Sequence, residues 1–173
     1  MLTRNSLQES TDATSADSGD AIDILTQDHR TVDALLEEYE STKDDADDEE
    51  KESRVATLCL ELTLHATVEE EIFYPAARDA LDRDQASLLD EAEVEHESVR
   101  ELITQLSEMR PGEPLYDAKV KVLGEYVKHH VQEEEGELFP ALRSAGLDLE
   151  ALGGEIASRK ESLRAELEAE ATM

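Results

Sequence analysis

The stretch H-A-T-V-E-E-E-I-F-Y-P, from His65 to Pro75, recurs as H-V-Q-E-E-E-G-E-L-F-P from His130 to Pro140. In each copy a glutamate follows the histidine by four residues (Glu69, Glu134) and a proline follows it by ten. On an α-helix positions i and i+4 share a face, so each copy presents an imidazole and a carboxylate side by side. Each is a pair of metal ligands. A chain carrying two such pairs can close a metal site between two helices.

Helical periodicity extends outward from both copies. A first helix is expected from Asp20 to Ser41, with Ile22, Leu25, His29, Val32, Leu36 and Tyr39 along one seam. The acidic run Asp44 to Glu52 reads as a solvated loop merging into a second helix that reaches about Arg83. Its seam is Val55, Leu58, Leu62, His65, Glu69, Ile72 and Ala76, and Pro75 is expected to kink it or mark its end. A third helix, with Asp84 as N-cap, runs to Met109 along Leu89, Ala92, His96, Val99, Ile103 and Leu106. After the breaker P-G-E-P (Pro111 to Pro114), a fourth runs from Tyr116 to Ser144 and stops before Gly146. Tyr116, Val120, Leu123, Val127, His130, Glu134 and Ala141 form its seam.

Four helices joined by short links predict an all-α, up-down-up-down antiparallel four-helix bundle over residues 20–146. Residues 147–173 form an extra C-terminal amphipathic segment, interrupted at Gly153 and Gly154, which either pads the bundle or joins two copies as a homodimer. Residues 1–19 are polar and read as a disordered tail. The 173 residues suffice for one domain with a real core.

Forty-five acidic residues against 16 basic ones leave a net charge of −29, which argues against nucleic acid or an anionic membrane as partner. The acidity fits a high-salt cytoplasm and the solvated faces of long helices equally well. Nothing in the sequence is apolar for long enough to span a bilayer, and no charged-then-apolar leader precedes the bundle, so a cytoplasmic location is expected. The single cysteine, Cys59, excludes an internal disulfide and reads as a small buried helix residue.

Every seam carries a polar intruder: His29; His65 and Glu69; His96; His130 and Glu134. Counting residues through each turn places all six at one depth, within about one helical turn. A carboxylate buried without a partner costs several kcal/mol, in the range of about 2–7 for an unpaired polar group and more for a charge, and no seam lysine or arginine stands beside these two. A bound cation removes that cost. Four imidazoles and two carboxylates suit two ions, each taking two histidines, with both glutamates bridging. Imidazoles disfavour an all-oxygen hard-ion site, and bridging carboxylates with open positions favour iron or manganese. A ferritin-like site needs two E-x-x-H motifs, and only Glu93 to His96 has that spacing. The H-E-x-x-H zinc signature is absent.

With D-H-R around His29, the repeat from His65, E-H around His96 and the repeat from His130, the chain resembles the hemerythrin-like, or HHE cation-binding, family. The resemblance implies a four-helix bundle around two non-haem iron ions, usually with an oxo or hydroxo bridge. It implies His29, His65, His96 and His130 as imidazole ligands, with Glu69 and Glu134 as bridging carboxylates. The oxygen-carrying members have a fifth histidine one turn after the third-helix ligand, where Arg100 stands here. They also have an aspartate five residues after the last histidine, where this chain has Glu134 at four. The four-His, two-Glu set is closer to the di-iron repair-type members.

The expected function is a non-haem di-iron protein that binds or reacts with oxygen, nitric oxide or peroxide in sensing, scavenging or iron-centre repair. The alternative is an iron-binding or iron-sensing module without redox turnover. His129, also four residues before a glutamate (Glu133), points about 100° off the seam and reads as a surface residue. Tyr126, one turn before His130, reads equally as a hydrogen-bond donor near the metals or as core. Asp28, Glu70 and Glu135 read as exposed helix charge, with orientation of the imidazoles as their other role.

Overall fold

The computed structural model describes residues 19–171. The expected polar tail therefore lies, but for Gly19, outside the described residues, as do residues 172 and 173. The helices are α1 (Ala21–Thr42), α2 (Asp48–Val68), α3 (Tyr74–Ala80), α4 (Arg83–Ser107), α5 (Tyr116–Glu133), α6 (Phe139–Ser144) and α7 (Leu149–Ala171). A π-helical turn, Glu69–Phe73, joins α2 to α3, and a second, Glu134–Leu138, joins α5 to α6. Two long rods result, α2–α3 and α5–α6, each interrupted by one wide turn.

The acidic residues at the helix starts have local work. Asp20 accepts from the backbone N–H of Asp23 at 3.0 Å, and the Asp23 carboxylate accepts from the Asp20 N–H in return. Asp47 and Glu50 form the same reciprocal cap on α2, so the acidic run is a helix start as well as a loop. Asp48, Glu49 and Glu50 lie in the positive first turn of that helix. The cap of α4 is Asp82, which accepts from Gln85 N–H at 2.9 Å. Asp84, expected as the cap, sits inside the first turn.

Helix α1 packs on α2 and α5, and α4 packs on α5 and α2, closing an antiparallel four-cornered bundle. Helix α7 lies outside it, against α1 and α2. It runs unbroken through Gly153 and Gly154, contrary to the interruption expected there. Gly153 faces the start of α1, where a Cβ would come within 2.9 Å of backbone atoms of Gly19, Asp20 and Ala21. That glycine serves close approach of two backbones. Leu152, Ile156 and Leu163 are the buried anchors of α7. No described helix is long and apolar enough to cross a membrane.

The apolar core forms two clusters. One gathers Ile22, Leu25, Phe73, Leu89, Leu138 and Leu142. The other gathers Val32, Leu58, Leu62, Val99, Leu106 and Leu123. On each helix the buried histidine falls between the two clusters in sequence, so a polar layer divides the core.

Candidate metal centre

All six intruders are buried: His29, His65, Glu69, His96, His130 and Glu134. The structure brings them together as two groups of potential ligand atoms. His29, His65, Glu69 and Glu134 form one, and Glu69, His96 and His130 form the other. The rings pair accordingly, with centroids 4.8 Å apart for His29 and His65 and 4.6 Å for His96 and His130. Glu69 spans both groups: Oε1 lies 3.2 Å from His65 Nε2 and Oε2 lies 3.3 Å from His96 Nε2. Glu134 Oε2 lies 3.1 Å from His29 Nε2 and 3.5 Å from His130 Nε2.

Each imidazole is held from outside by a carboxylate. Glu135 meets His29 Nδ1 at 2.8 Å, Asp28 meets His65 Nδ1 at 3.3 Å, Glu70 meets His96 Nδ1 at 2.9 Å and Glu95 meets His130 Nδ1 at 2.8 Å. An ionised carboxylate only accepts, so Nδ1 carries the hydrogen in all four rings. Every Nε2 therefore turns inward. Asp28, Glu70 and Glu135 thus orient the imidazoles rather than serving as plain exposed charge. Glu95 was not singled out by the sequence reading. The signal was present, because Glu95 precedes His96 as Asp28 precedes His29.

Do these groups fit a cation? His29 Nε2, His65 Nε2, Glu69 Oε1 and Glu134 Oε2 are buried and have no hydrogen-bond partner, although each faces another of the set within 3.1–3.2 Å. Neighbouring ligands on one small ion, with bonds of about 2.1 Å at right angles, stand about 3 Å apart. Buried polar atoms normally find hydrogen bonds. Four that instead face one another at ligand spacing fit a metal.

Electrostatics agree. Burial alone would push His65 down, but Glu69 and Asp28 outweigh it and raise it to about 10. His130 is likewise raised well above the usual imidazole value against its burial, by Glu134, Glu69 and Glu95. Burial would push Glu69 up, yet the surrounding imidazoles hold it well below the ordinary carboxylate range. The layer is built to hold positive charge beside its carboxylates, and protons take that place when no metal does.

The phenol of Tyr74 closes the carboxylate side. It donates to Glu134 Oε1 at 2.8 Å and lies 3.3 Å from Glu69 Oε2, while its ring stacks on His96 with centroids 5.6 Å apart. Phe139, the matching residue of the second repeat, stacks on His29 at 5.7 Å without a hydroxyl. The π turns bring both rings here. A residue nine after the histidine lies about 180° away on a regular α-helix, at 100° per residue. The extra residue of a π turn shifts it back by about 100°, onto the site face. The same shift moves the buried seam from the expected Ile72 and Ala76 to Phe73, Tyr74 and Ala77, and from Ala141 to Leu138, Phe139 and Leu142. Pro75 and Pro140 each fall in the first turn of the helix that follows, where proline is tolerated.

The surface assignments resolve plainly. The His129 side chain is 64% exposed, near Glu133 and Glu95. Tyr126 is exposed and does not reach the layer; Tyr74 is the phenol that does. Arg100 points outward onto Glu70. Cys59 is partly buried, and burial pushes its thiol up to about 11. On the side of the layer away from Tyr74 is a cavity of about 20 Å³. The four histidines and the aliphatic side chains of Val32, Leu62, Val99, Val127 and Val131 line it.

An all-helical bundle with two histidine–carboxylate groups at its centre defines a cation-binding helical domain. The chain belongs to the hemerythrin family: the Hemerythrin HHE cation binding domain model matches residues 20–142. A solved HHE cation-binding domain-containing protein from Mycobacterium kansasii shares the fold with a TM-score of 0.71 at 25% identity, over 86% of this chain and 89% of that one. A "DNA nickase" of Nostoc sp. (strain PCC 7120 / SAG 25.82 / UTEX 2576) is 30% identical over 123 residues, 70% of this chain. That match spans only 33% of the Nostoc protein's length.

Proposed function

We propose that this chain binds two non-haem iron ions in the polar layer and that the pair reacts with oxygen, nitric oxide or peroxide. His29 and His65 would hold one ion and His96 and His130 the other, with Glu69 and Glu134 shared. The observation that carries this reading is the cavity of about 20 Å³ resting on four inward-facing imidazoles. A site of roughly 10–15 Å³ on this measure admits one water-sized molecule, so the space suits a diatomic or peroxide and excludes larger organic substrates. When bound, the metals would supply the electrons and the Lewis acidity.

The chain's own residues do the rest. The four outer carboxylates fix each ring's tautomer and strengthen it as a donor. The aliphatic wall gives water no hydrogen-bond partner on the cavity face. Tyr74 holds one glutamate oxygen on the opposite face. No side chain other than the imidazoles offers a hydrogen-bond donor among the residues lining the cavity, so an incoming molecule is selected by size rather than by hydrogen bonds.

A second reading, an iron-binding or iron-sensing module without turnover, draws on the unpartnered buried atoms, because a bundle carrying them gains stability whenever metal is present. The nicking activity named for the Nostoc protein is not carried over, since a charge of −29 repels a phosphate backbone. Elemental analysis of protein purified without added metal, followed by anaerobic titration with nitric oxide and with oxygen, tests the proposal. Two irons per chain and a spectral change with either gas are expected. Zinc, or no metal after ferrous loading, would end it, and iron with no response to either gas or to peroxide would leave the sensing module.

A further inference from the structure

Helix α7 buries Leu152, Ile156 and Leu163 against the bundle, and Lys160 stands on that same face, four residues after Ile156 and three before Leu163. Helical periodicity fills such a position with an apolar side chain. Here the ammonium instead contacts Asp28 Oδ1, and the other oxygen, Oδ2, accepts from His65 Nδ1 at 3.3 Å. Both side chains of the pair are largely buried, 18% and 14% exposed. The comparable outer cation is at the surface: Arg100 on Glu70 is 47% exposed. Solvent screens that charge and screens Lys160 far less.

We propose that Lys160 is a positioning residue of the metal centre, holding Asp28 against His65 and drawing charge from its carboxylate, so that docking of α7 tunes the ion on the His29–His65 side alone. This rests on the two-iron reading above. The sign follows from the chain of contacts. A carboxylate on Nδ1–H makes the ring a stronger donor, which favours the ferric state. A cation on the carboxylate's other oxygen weakens that effect, and its own charge also disfavours added positive charge at the metal. Loss of Lys160 therefore favours ferric iron on one side of the pair.

The test uses the full chain loaded with ferrous iron, as wild type, Lys160→Met, Lys160→Arg and Arg164→Met. Arg164 pairs with Glu61 and ties α7 to α2 without touching any metal-facing residue or its carboxylate partner. Iron content is measured first, and then the two one-electron steps by anaerobic redox titration. The expected result is two irons in every variant, with one step of Lys160→Met moved roughly tenfold toward the ferric state, about 59 mV. Lys160→Arg returns that step and Arg164→Met leaves both in place. Unmoved steps in Lys160→Met, or an equal shift in Arg164→Met, would reduce Lys160 to a brace for α7. If Lys160→Met fails to fold, Lys160→Gln is read by the same two criteria. A wild type that takes up no iron pair overturns the two-iron reading instead, and the metal content shows it before any variant is compared.

Discussion

Tyr74→Phe removes one oxygen from the polar layer and converts the first repeat to the chemistry of the second, where Phe139 stands. The ring keeps its stacking on His96, and no cavity larger than a hydroxyl opens. What disappears is the 2.8 Å hydrogen bond to Glu134 Oε1; the 3.3 Å approach to Glu69 Oε2 cannot be a second full bond, because the phenol has one proton. A hydrogen bond to a charged acceptor contributes about 1.5–3 kcal/mol, and both partners here are shielded from water that would replace it. A loss of about 2 kcal/mol is expected in the metal-free protein, or roughly 4–8 °C in Tm for a chain of this size. In the metal-loaded protein the charge of a bound cation, beyond that of the imidazole protons it displaces, offsets more of the carboxylate's desolvation, so the loss shrinks. Urea unfolding of both forms, with an unchanged m-value as the check on two-state behaviour, measures the difference. A metal-free loss under about 0.5 kcal/mol, the scale of an ordinary surface substitution, would refute the bond's assigned strength. A larger loss in the loaded form than in the metal-free form would refute the argument about what neutralises Glu134.

Other substitutions separate site from scaffold. His130→Ala should lose metal, whereas His129→Ala should keep full metal content, as elemental analysis of each will show; equal loss would mean the exposed ring participates. Gly153→Ala should destabilise by about 1–3 kcal/mol by forcing a Cβ against the start of α1. Gly154→Ala meets open space in a helix interior and should gain about 0.5–1 kcal/mol, so thermal melts of the two should move in opposite directions. Val131→Phe should fill the cavity and slow nitric oxide binding at unchanged iron content, read by stopped-flow absorbance.

The response to pH has two signs. His65, raised from 6.5 to about 10 in the metal-free fold, contributes stability that is fully present below pH 6.5 and lost as pH rises through about 10. Metal uptake must displace such protons, so metal affinity rises over the same window. Melts of the metal-free protein and competition titrations for the metal should therefore trend oppositely between pH 7 and 9. Parallel trends would show that the imidazoles are not the groups released.

The bundle and its six polar intruders were legible because each follows from i, i+3 and i+4 periodicity, which a single helix imposes on its own residues. Two things escaped that logic. The π turns after Glu69 and Glu134 each add a residue to one turn, so a seam counted at a fixed 100° runs onto the wrong face beyond them. Tyr74 was hidden for that reason, although its place ahead of Pro75 matches that of Phe139 ahead of Pro140. Glu95 and Lys160 were hidden for another. They act across helices, on His130 and on Asp28, and periodicity within one helix carries no information about which partner another helix supplies.

Those cross-helix contacts reveal how the layer is constructed. Asp28 holds His65 as Glu95 holds His130, and Glu135 holds His29 as Glu70 holds His96. Phe139 stacks on His29 as Tyr74 stacks on His96. The two halves of the bundle, α1 with α2–α3 and α4 with α5–α6, thus repeat one arrangement, and an arrangement so repeated would give two metals equivalent surroundings. Two residues shielded from solvent break the equivalence. The hydroxyl of Tyr74 lies within 3.5 Å of His96 Nε2, on the His96–His130 side, and Lys160 reaches the His29–His65 side through Asp28. One comes from within the repeat and the other from a helix added outside it. Both withdraw charge from a carboxylate, Lys160 from Asp28 and the phenol from Glu134, so they act in one sense on opposite sides and offset each other, whereas either alone would set the two metals apart. Lys160→Met or Tyr74→Phe alone should accordingly change the spacing of the two one-electron steps of the loaded protein, and the two combined should bring it back toward that of the wild type. A double variant whose spacing departs from the wild type as far as the single variants do would show that the two residues do not offset each other.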